Sequence, residues 1–319
     1  MAKYIVTGGC GFIGSHLAES LILQGDDVVI VDNLSTGKLS NAPSQAKVVV
    51  GDVRNATMMK ELMLNASGCF HLAAISSVER SADAWVDTHS TNLTGTITVL
   101  DAARGTKSTP PVPVVYASSA AVYGDNASTP LAEDAALRPL SAYGADKLGS
   151  ELHARIAGII HNVPSVGFRF FNVYGPRQDP HSPYSGVISI FADRILRNSP
   201  ITIYGDGNQV RDFVYVKDVV NFLIGGIKTA STGTPIYNVC TGRSTSIRQL
   251  VHTLFAVTGK QVAVSYSKSR RGDIRTSIGA PQKAQLQLGL RANVDLGQGL
   301  RQTYRTECDE GFTISVEAS

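Results

Sequence analysis

Along the first half of the chain, short apolar runs rich in β-branched residues alternate with longer stretches of helical spacing. Tyr4–Val6, Val28–Val31, Lys47–Val50, Cys69–Leu72, Val112–Tyr116 and Ser165–Phe171 are brief and often flanked by Gly, Pro, Asn or Asp. Continuous runs of this kind suit strands covered on both faces, as in a parallel sheet. Between them the pattern predicts helices at Phe12–Leu23, Met58–Leu64, Asp87–Ala103 and Ala142–Ile160. In the last of these, Leu148, Leu152, Ile156 and Ile159 recur at helical spacing. Alternating strands and helices imply right-handed crossovers, and so an α/β fold with a doubly wound parallel sheet.

After Asn172 the rhythm breaks. Gly175–Ser185 is rich in Gly, Pro, Asp and Ser and reads as a long loop, with helices expected near Val187–Arg197 and Ser246–Thr258. Phe213–Lys228 and Ile236–Cys240 read as a return to the sheet. The division expected is therefore a sheet domain over 1–172, rejoined by 213–240, and a smaller mixed α/β substrate domain over 173–319. The sequence assigns no clear role to the tail Glu307–Ser319.

Composition narrows the partners. The 319 residues are 43% apolar and 17% charged, enough for a buried core and too apolar for a disordered chain. A net charge of +3 argues for a local basic pocket for one anionic small molecule rather than a nucleic-acid surface. Cys10, Cys69, Cys240 and Cys308 lie far apart and form no CxxC, which argues against a disulfide framework or a zinc site. The seven histidines form no HxxxH or HExxH pair, so no metal is expected. Residues Met1 to Thr7 already read as a strand, and no apolar run approaches the roughly 18 residues of a membrane span. A soluble, cytoplasmic protein with no membrane contact is the expectation.

The first strand runs into Gly8-Gly9-Cys10-Gly11-Phe12-Ile13-Gly14 and then a helix. Such a turn lets backbone N–H groups approach a pyrophosphate at a helix N-terminus, where the helix dipole favours an anion. Gly14 permits close packing of that helix. Asp32 closes the second strand about 20 residues past the loop, where a carboxylate accepts both adenosine-ribose hydroxyls and repels a 2′-phosphate. Asn33 follows and no arginine is near, so NAD is favoured over NADP. Asp52, after the third strand, either reaches the adenine in the same way or is an ordinary turn aspartate.

Tyr143 and Lys147 stand four apart, on one helix face. A cation beside a phenol favours the phenolate, and bringing a tyrosine from its usual pKa near 10 down by about three units takes roughly 4 kcal/mol. Lys147 and a positively charged nicotinamide can supply this, making Tyr143 a base near neutral pH. The strand Val112–Tyr116 leads into Ala117-Ser118-Ser119, at the sheet edge where open α/β folds bind ligands. There Ser119 can hydrogen-bond a substrate hydroxyl and help pass its proton to Tyr143.

With these residues in place the chain resembles the extended short-chain dehydrogenase/reductase family, of Rossmann fold, from residue 3 to about residue 305. Within it the chain is most similar to the NAD-dependent epimerase/dehydratase group and its UDP-glucose 4-epimerases. The matching motifs are Ser119-Ala-Ala-Val-Tyr-Gly, Phe170-Phe-Asn-Val-Tyr-Gly-Pro-Arg177, Arg211-Asp-Phe-Val-Tyr-Val216 and Arg270-Arg-Gly-Asp273. The resemblance implies a UDP-sugar lying across a domain cleft. Asn172 would hold its diphosphate or sugar, Val187 with Thr202 and Tyr204 the base, Arg211 and Arg270 the phosphates, and Asp273 a ribose hydroxyl. Two arginines suit an anionic diphosphate on chemical grounds as well.

Cofactor contacts implied by the motifs are Phe12 and Ile13, the turn with Asn33, Ser35, Thr36 and Gly37, then Val53, Leu72, Ala73, Ala74 and Phe171. Asn92 is a further implied contact or an ordinary polar helix position. Ser76 and Ser77 match a substrate loop near the nicotinamide. Ser277, seven beyond Arg270, matches the residue that borders the sugar C2 substituent; a tyrosine there crowds an acetamido group, and a serine leaves room. Pro281 departs from the family, which often has an acid at that position. The resemblance also implies a homodimer joined through Asp87–Ala103 and Ala142–Ile160, where Leu93, Val99, Leu148 and Leu152 offer apolar positions.

The implied reaction is a 4-epimerisation. Tyr143 takes the 4-hydroxyl proton, hydride leaves C4 for NAD⁺, and the 4-keto sugar turns over and is reduced on its other face. The principal alternative is a sugar-nucleotide dehydratase or decarboxylase. In the family these carry an acid just beyond the catalytic Ser/Thr, where this chain has Ala120 and Ala121. A non-catalytic NAD-binding sensor on the same fold is a third reading.

Overall fold

The structure is a computed structural model that describes residues 1–126, 128–182, 185–269 and 274–309, the last five by backbone alone. Arg270 and Asp273 thus lie outside the described residues, as do Cys308's side chain and the tail 310–319. In chain order the strands are β1 (Lys3–Thr7), β2 (Asp27–Asp32), β3 (Lys47–Val50), β4 (Gly68–His71), β5 (Val114–Ser119) and β6 (Ser165–Phe170). Shorter ones follow as β7 (Asn172–Tyr174), β8 (Ile201–Tyr204), β9 (Val210–Arg211) and β10 (Phe213–Tyr215). The last are β11 (Ile236–Val239), β12 (Thr245–Ser246), β13 (Val264–Ser267) and β14 (Thr276–Ser277). The helices are α1 (Phe12–Leu23), α2 (Ala56–Met63), α3 (Val78–Asp83), α4 (Trp85–His89), α5 (Gly95–Ala102) and α6 (Ala142–His161). Beyond them lie α7 (Val187–Leu196), α8 (Val216–Gly226), α9 (Ile247–Thr258), α10 (Gln282–Leu288) and α11 (Leu296–Asp309).

Seven strands form one parallel sheet in the order β11-β6-β5-β4-β1-β2-β3. Alternate residues enter opposite layers: Val6, Val28 and Ile30 pack with Leu17 and Leu21 of α1, while Ile5, Val29 and Val31 pack with Val99 of α5 and Ala154 of α6. This two-sided burial explains why the strands read as unbroken apolar runs. The order reverses between β1 and β4, and the crevice outside the carboxyl ends at such a reversal is where open α/β sheets bind ligands.

A third apolar cluster joins Ile188, Phe191 and Ile195 of α7 to Ile201 and Ile203 of β8, Leu250 and Leu254 of α9, and Leu300 of α11. Around it stand the short sheets β12-β9-β14, β13-β8 and β10-β7. This is a smaller mixed α/β unit beside the large sheet.

Three expectations are corrected. The single helix over 87–103 is divided: α4 and α5 flank a π-helical stretch, Ser90–Thr94, at whose centre the buried Asn92 bonds the backbone of Ile75. Wide turns of this kind often mark functional positions. β5 starts at Val114 rather than Val112, because Pro113 has no N–H to give a ladder. Phe213–Tyr215 pairs with β7 rather than with the large sheet, whereas α8, which follows it, does return, packing on α1 and on β6 with Phe222 against Phe168, and β11 joins the sheet beside β6. Among the described residues no helix is long and apolar enough to cross a membrane.

Candidate active site

The glycine turn follows β1 directly. Gly8 has φ +70 and donates to Val31 O at 2.8 Å. A Cβ on Gly8 would lie 2.8 Å from Ala73 N, and one on Gly14 only 2.2 Å from Gly8 O, so both positions require the bare backbone. α1 starts with Gly11 as its N-cap and no side-chain capping bond, which leaves the first-turn donors at Phe12 and Ile13 without a side-chain acceptor. Asp32 is buried, its Oδ2 accepting from Cys10 N at 3.0 Å and its Oδ1 from Leu34 N at 2.8 Å. Each oxygen keeps capacity for a second donor, as two ribose hydroxyls would need.

The turn beyond folds over this carboxylate. A Cβ on Gly37 would meet it at 2.9 Å, and Asn33 Oδ1 accepts from Ser35 N while Thr36 stays exposed. Bare backbone at the loop, free donors at the helix start and a carboxylate with spare acceptors fit the pyrophosphate and ribose of NAD. Asp52 is already occupied: Arg54 gives it bonds from N, Nε and Nη2 at 2.8, 2.9 and 2.6 Å, which hold its carboxyl below the usual range.

On the other side of the crevice, a buried polar chain secures the loop after β4. Thr7 Oγ1 pairs with His71 Nδ1 at 2.8 Å and accepts from Ala73 N, and His71 Nε2 pairs with Thr96 Oγ1 at 3.0 Å. Burial, followed by repulsion from Lys147, pushes the His71 pKa down to about 3, so the ring is neutral. Asn92 Oδ1 accepts from Ile75 N and its Nδ2 donates to Ile75 O, which fixes the segment holding the half-buried Leu72, Ala73 and Ala74. Val53 is buried against Gly95. Ser77 caps α3 by accepting from Arg80 N at 3.0 Å, with its hydroxyl buried.

Tyr143 and Lys147 lie in the first turns of α6, which Ser141 opens by accepting from Gly144 N. Tyr143 is half-buried and stands near enough to Ser119, the last residue of β5, for the two hydroxyls to interact. Burial raises the phenol pKa and the Ser119 interaction draws it part of the way back. Ser119 Oγ also accepts from Ala121 N at 3.1 Å. Lys147 Nζ stands 5.8 Å from the Tyr143 ring centroid and donates to Ala117 O at 2.8 Å. Burial lowers the Lys147 pKa to about 8, against the opposing pull of the adjacent Asp146 carboxylate. The structure thus brings the three residues together, with a lysine that is still charged at neutral pH.

The remaining residues gather on the smaller unit. Asn172 opens β7 with its side chain exposed and its N–H bonded to Asp212 O. Arg211 and Ser277 are register partners across β9 and β14, and Arg211 Nη1 donates to Ile274 O at 2.7 Å. Val187 opens α7, while Thr202 and the 40% exposed Tyr204 share one face of β8. Phe171 is buried with its ring centroid 6.4 Å from that of Tyr123.

Asp212 was not singled out from the sequence. Fully buried, it accepts from Thr241 N and Oγ1, Gly242 N and Gly279 N, and so ties the Arg211 corner to the segments after β11 and β14. Its place beside Arg211 in a motif was the available signal. Among the described residues no group of three His, Cys, Asp or Glu could hold a metal ion.

Comparison with known proteins gives the family. A putative UDP-glucose 4-epimerase of Methanocaldococcus jannaschii is 35% identical over 299 residues, covering 93% of this chain and 95% of that protein. The crystal structure of a UDP-glucose 4-epimerase with UDP-glucose from Thermotoga maritima superposes with a TM-score of 0.91 at 34% identity, over 97% of this chain and 99% of the other. A UDP-N-acetylglucosamine 4-epimerase from Methanobrevibacter ruminantium, in complex with UDP-N-acetylmuramic acid, superposes with a TM-score of 0.90 at 32% identity, over 97% and 99%. The profile of the NAD dependent epimerase/dehydratase family matches residues 4–240. A nucleotide cradle, a Ser-Tyr-Lys cluster at the carboxyl end of β5 and these likenesses lead to one conclusion: the chain belongs to the NAD-dependent epimerase/dehydratase family.

Proposed function

We propose that the protein is a UDP-hexose 4-epimerase. Tyr143 accepts the proton of the sugar 4-hydroxyl and later returns it, while Ser119 holds that oxygen in line. NAD⁺, when bound, supplies a site that takes up a hydride and gives it back. Lys147 lies where its ammonium can favour the phenolate, and Asp146 helps keep that ammonium charged. Asn172 and Arg211 support the reading on the diphosphate side, because the Asn172 N–H bonds the carbonyl of Asp212, next to Arg211 in the chain. Between its two half-reactions the 4-keto sugar must turn over about its diphosphate linkage.

One observation carries the choice of epimerase. The residues after Ser119 are Ala120 and Ala121, which open the single-turn helix Ala120–Val122. Dehydration or decarboxylation of the ketone needs a further acid, and two methyl groups stand where the related enzymes carry it. Incubation with UDP-galactose should therefore give UDP-glucose and no persistent keto product, and Tyr143→Phe should lose roughly 10²- to 10⁴-fold in rate, the usual span of general acid–base catalysis. A stable keto product would establish the dehydratase reading, and unchanged sugar the sensor reading.

The small Ser277 beside Arg211 supports acceptance of N-acetylated hexoses as well as plain ones. A homodimer is also proposed, although Val99 is buried in the sheet core and Leu148 packs against it, so of the expected positions these two do not join the exposed stripe. Leu152, Ile156, Ile159 and Ile160 of α6 are 47–62% exposed, and Val86 and Ile97 of the neighbouring helices are exposed as well. Two copies related by a two-fold axis would bury both stripes in one four-helix layer. Sedimentation at micromolar concentration should show dimers, and a purely monomeric species would refute this.

A further inference from the structure

Tyr143 and Lys147 share their helix face with Glu151, each four residues after the last. Glu151 and Arg169 are both nearly inaccessible and form a fully desolvated ion pair behind the catalytic residues. Arg169 Nε and Nη2 donate to the two Glu151 oxygens at 2.9 and 2.8 Å, and Ser118 Oγ donates to Oε1 at 2.5 Å. Arg169 Nη1 donates to Tyr123 OH at 2.9 Å, and that hydroxyl donates to Asn238 Oδ1 at 2.7 Å. Ser118 and Arg169 are also register partners in β5 and β6.

The pair therefore reaches Ser119 from both sides. Ser118 precedes it, and Tyr123 closes the turn that follows it. Resting on the proposed Tyr143 chemistry, we propose that Glu151 and Arg169 are positioning residues that, through Ser118 and Tyr123, set the placement of Ser119 against Tyr143. Apolar residues of similar volume often replace buried ion pairs with little loss of stability, so stability alone gives no reason for the pair. Its distinctive contribution is direction: a planar guanidinium binds two carboxylate oxygens and a phenol at fixed angles. Misplacement of a reacting group by about 1 Å can cost on the order of 10²-fold in rate.

Two full-length variants test this, Ser118→Ala and the paired Glu151→Leu/Arg169→Met, which removes both charges together. With UDP-galactose, kcat should fall about tenfold in the first and on the order of a hundredfold in the second, with KM and NAD affinity little changed. The acidic limb of the kcat profile should move to higher pH, because a looser Ser119 interaction stabilises the Tyr143 phenolate less. The same shift is read without turnover from tyrosinate absorbance, taken as each protein minus its Tyr143→Phe counterpart. This second readout stands even if UDP-galactose is not a substrate, which would refute the proposed function alone. A merely structural role would lower the melting temperature and leave the phenol titration in place. An unshifted Tyr143 titration in Ser118→Ala overturns the proposal, and that variant decides alone if the paired one does not fold.

Discussion

Replacing Gly14 by alanine should separate α1 from the phosphate loop. The new Cβ would stand 2.2 Å from Gly8 O and 2.8 Å from Gly9 Cα, both backbone atoms that no side-chain rotation can move. Reaching an ordinary contact requires the helix start to withdraw by about 1 Å, a distance over which hydrogen bonds to a bound pyrophosphate fail. Overpacking of this sort costs about 1–3 kcal/mol of stability. Losing a charge-assisted bond costs about 1.5–3 kcal/mol more in binding, which corresponds to a tenfold to hundredfold weaker NAD complex. A control is available at the other end of the same helix. Gly25 has φ +84 with nothing within 4 Å of an added Cβ, so Gly25→Ala strains the backbone by about 1–2 kcal/mol without approaching the loop. Calorimetric titration with NAD and thermal melts of both variants separate the effects. Parental NAD affinity in a folded Gly14→Ala protein would refute the cradle.

Ser277→Tyr should cut kcat/KM for UDP-N-acetylgalactosamine by about tenfold or more while sparing UDP-galactose, since a phenol ring would refill the space beside Arg211; equal ratios in parent and variant would remove Ser277 as a determinant. His71 should make the fold sensitive to acid. Its folded pKa of about 3 lies below the unfolded value near 6.5, so the unfolded chain binds the extra proton between these limits and stability falls as pH drops through them, by about 1.4 kcal/mol per unit. Urea midpoints at pH 6, 5 and 4 should decline less steeply in His71→Gln, which keeps a polar amide and does not titrate; identical slopes would show that His71 is not the group responsible.

Much of this site was open to sequence reading because its residues obey local rules. The glycine turn, Asp32 at a strand end and the Tyr143–Lys147 spacing each reflect a requirement met within one strand, turn or helix. The bounds expected for α1 match the structure, and α6 extends one residue further than expected, since Ser141 caps its start and the leucine spacing runs through it. The two-residue strands β9, β12 and β14 were not legible, being too short for any period to show, although they place Arg211 beside Ser277. The π-helical turn was equally hidden. It answers to a bond between Asn92 and Ile75, and a continuous apolar pattern gives no sign of such a tie.

The buried charges are the instructive case. Arg169 sits within the otherwise apolar run Ser165–Phe171, a position where an unpaired guanidinium would be prohibitive, so the sequence implies a partner without naming it. Any of the 26 acidic residues could have served on composition alone. What selects Glu151 is the parallel placement of β6 beside β5, with α6 laid across both, and this arrangement exists only once the sheet has formed. Helical spacing supplies half of the answer, because Glu151 falls two turns after Tyr143 on the same face. A buried charge in line with Tyr143 and Lys147 is therefore read with the proposed site in this chain, even where it touches neither substrate nor cofactor.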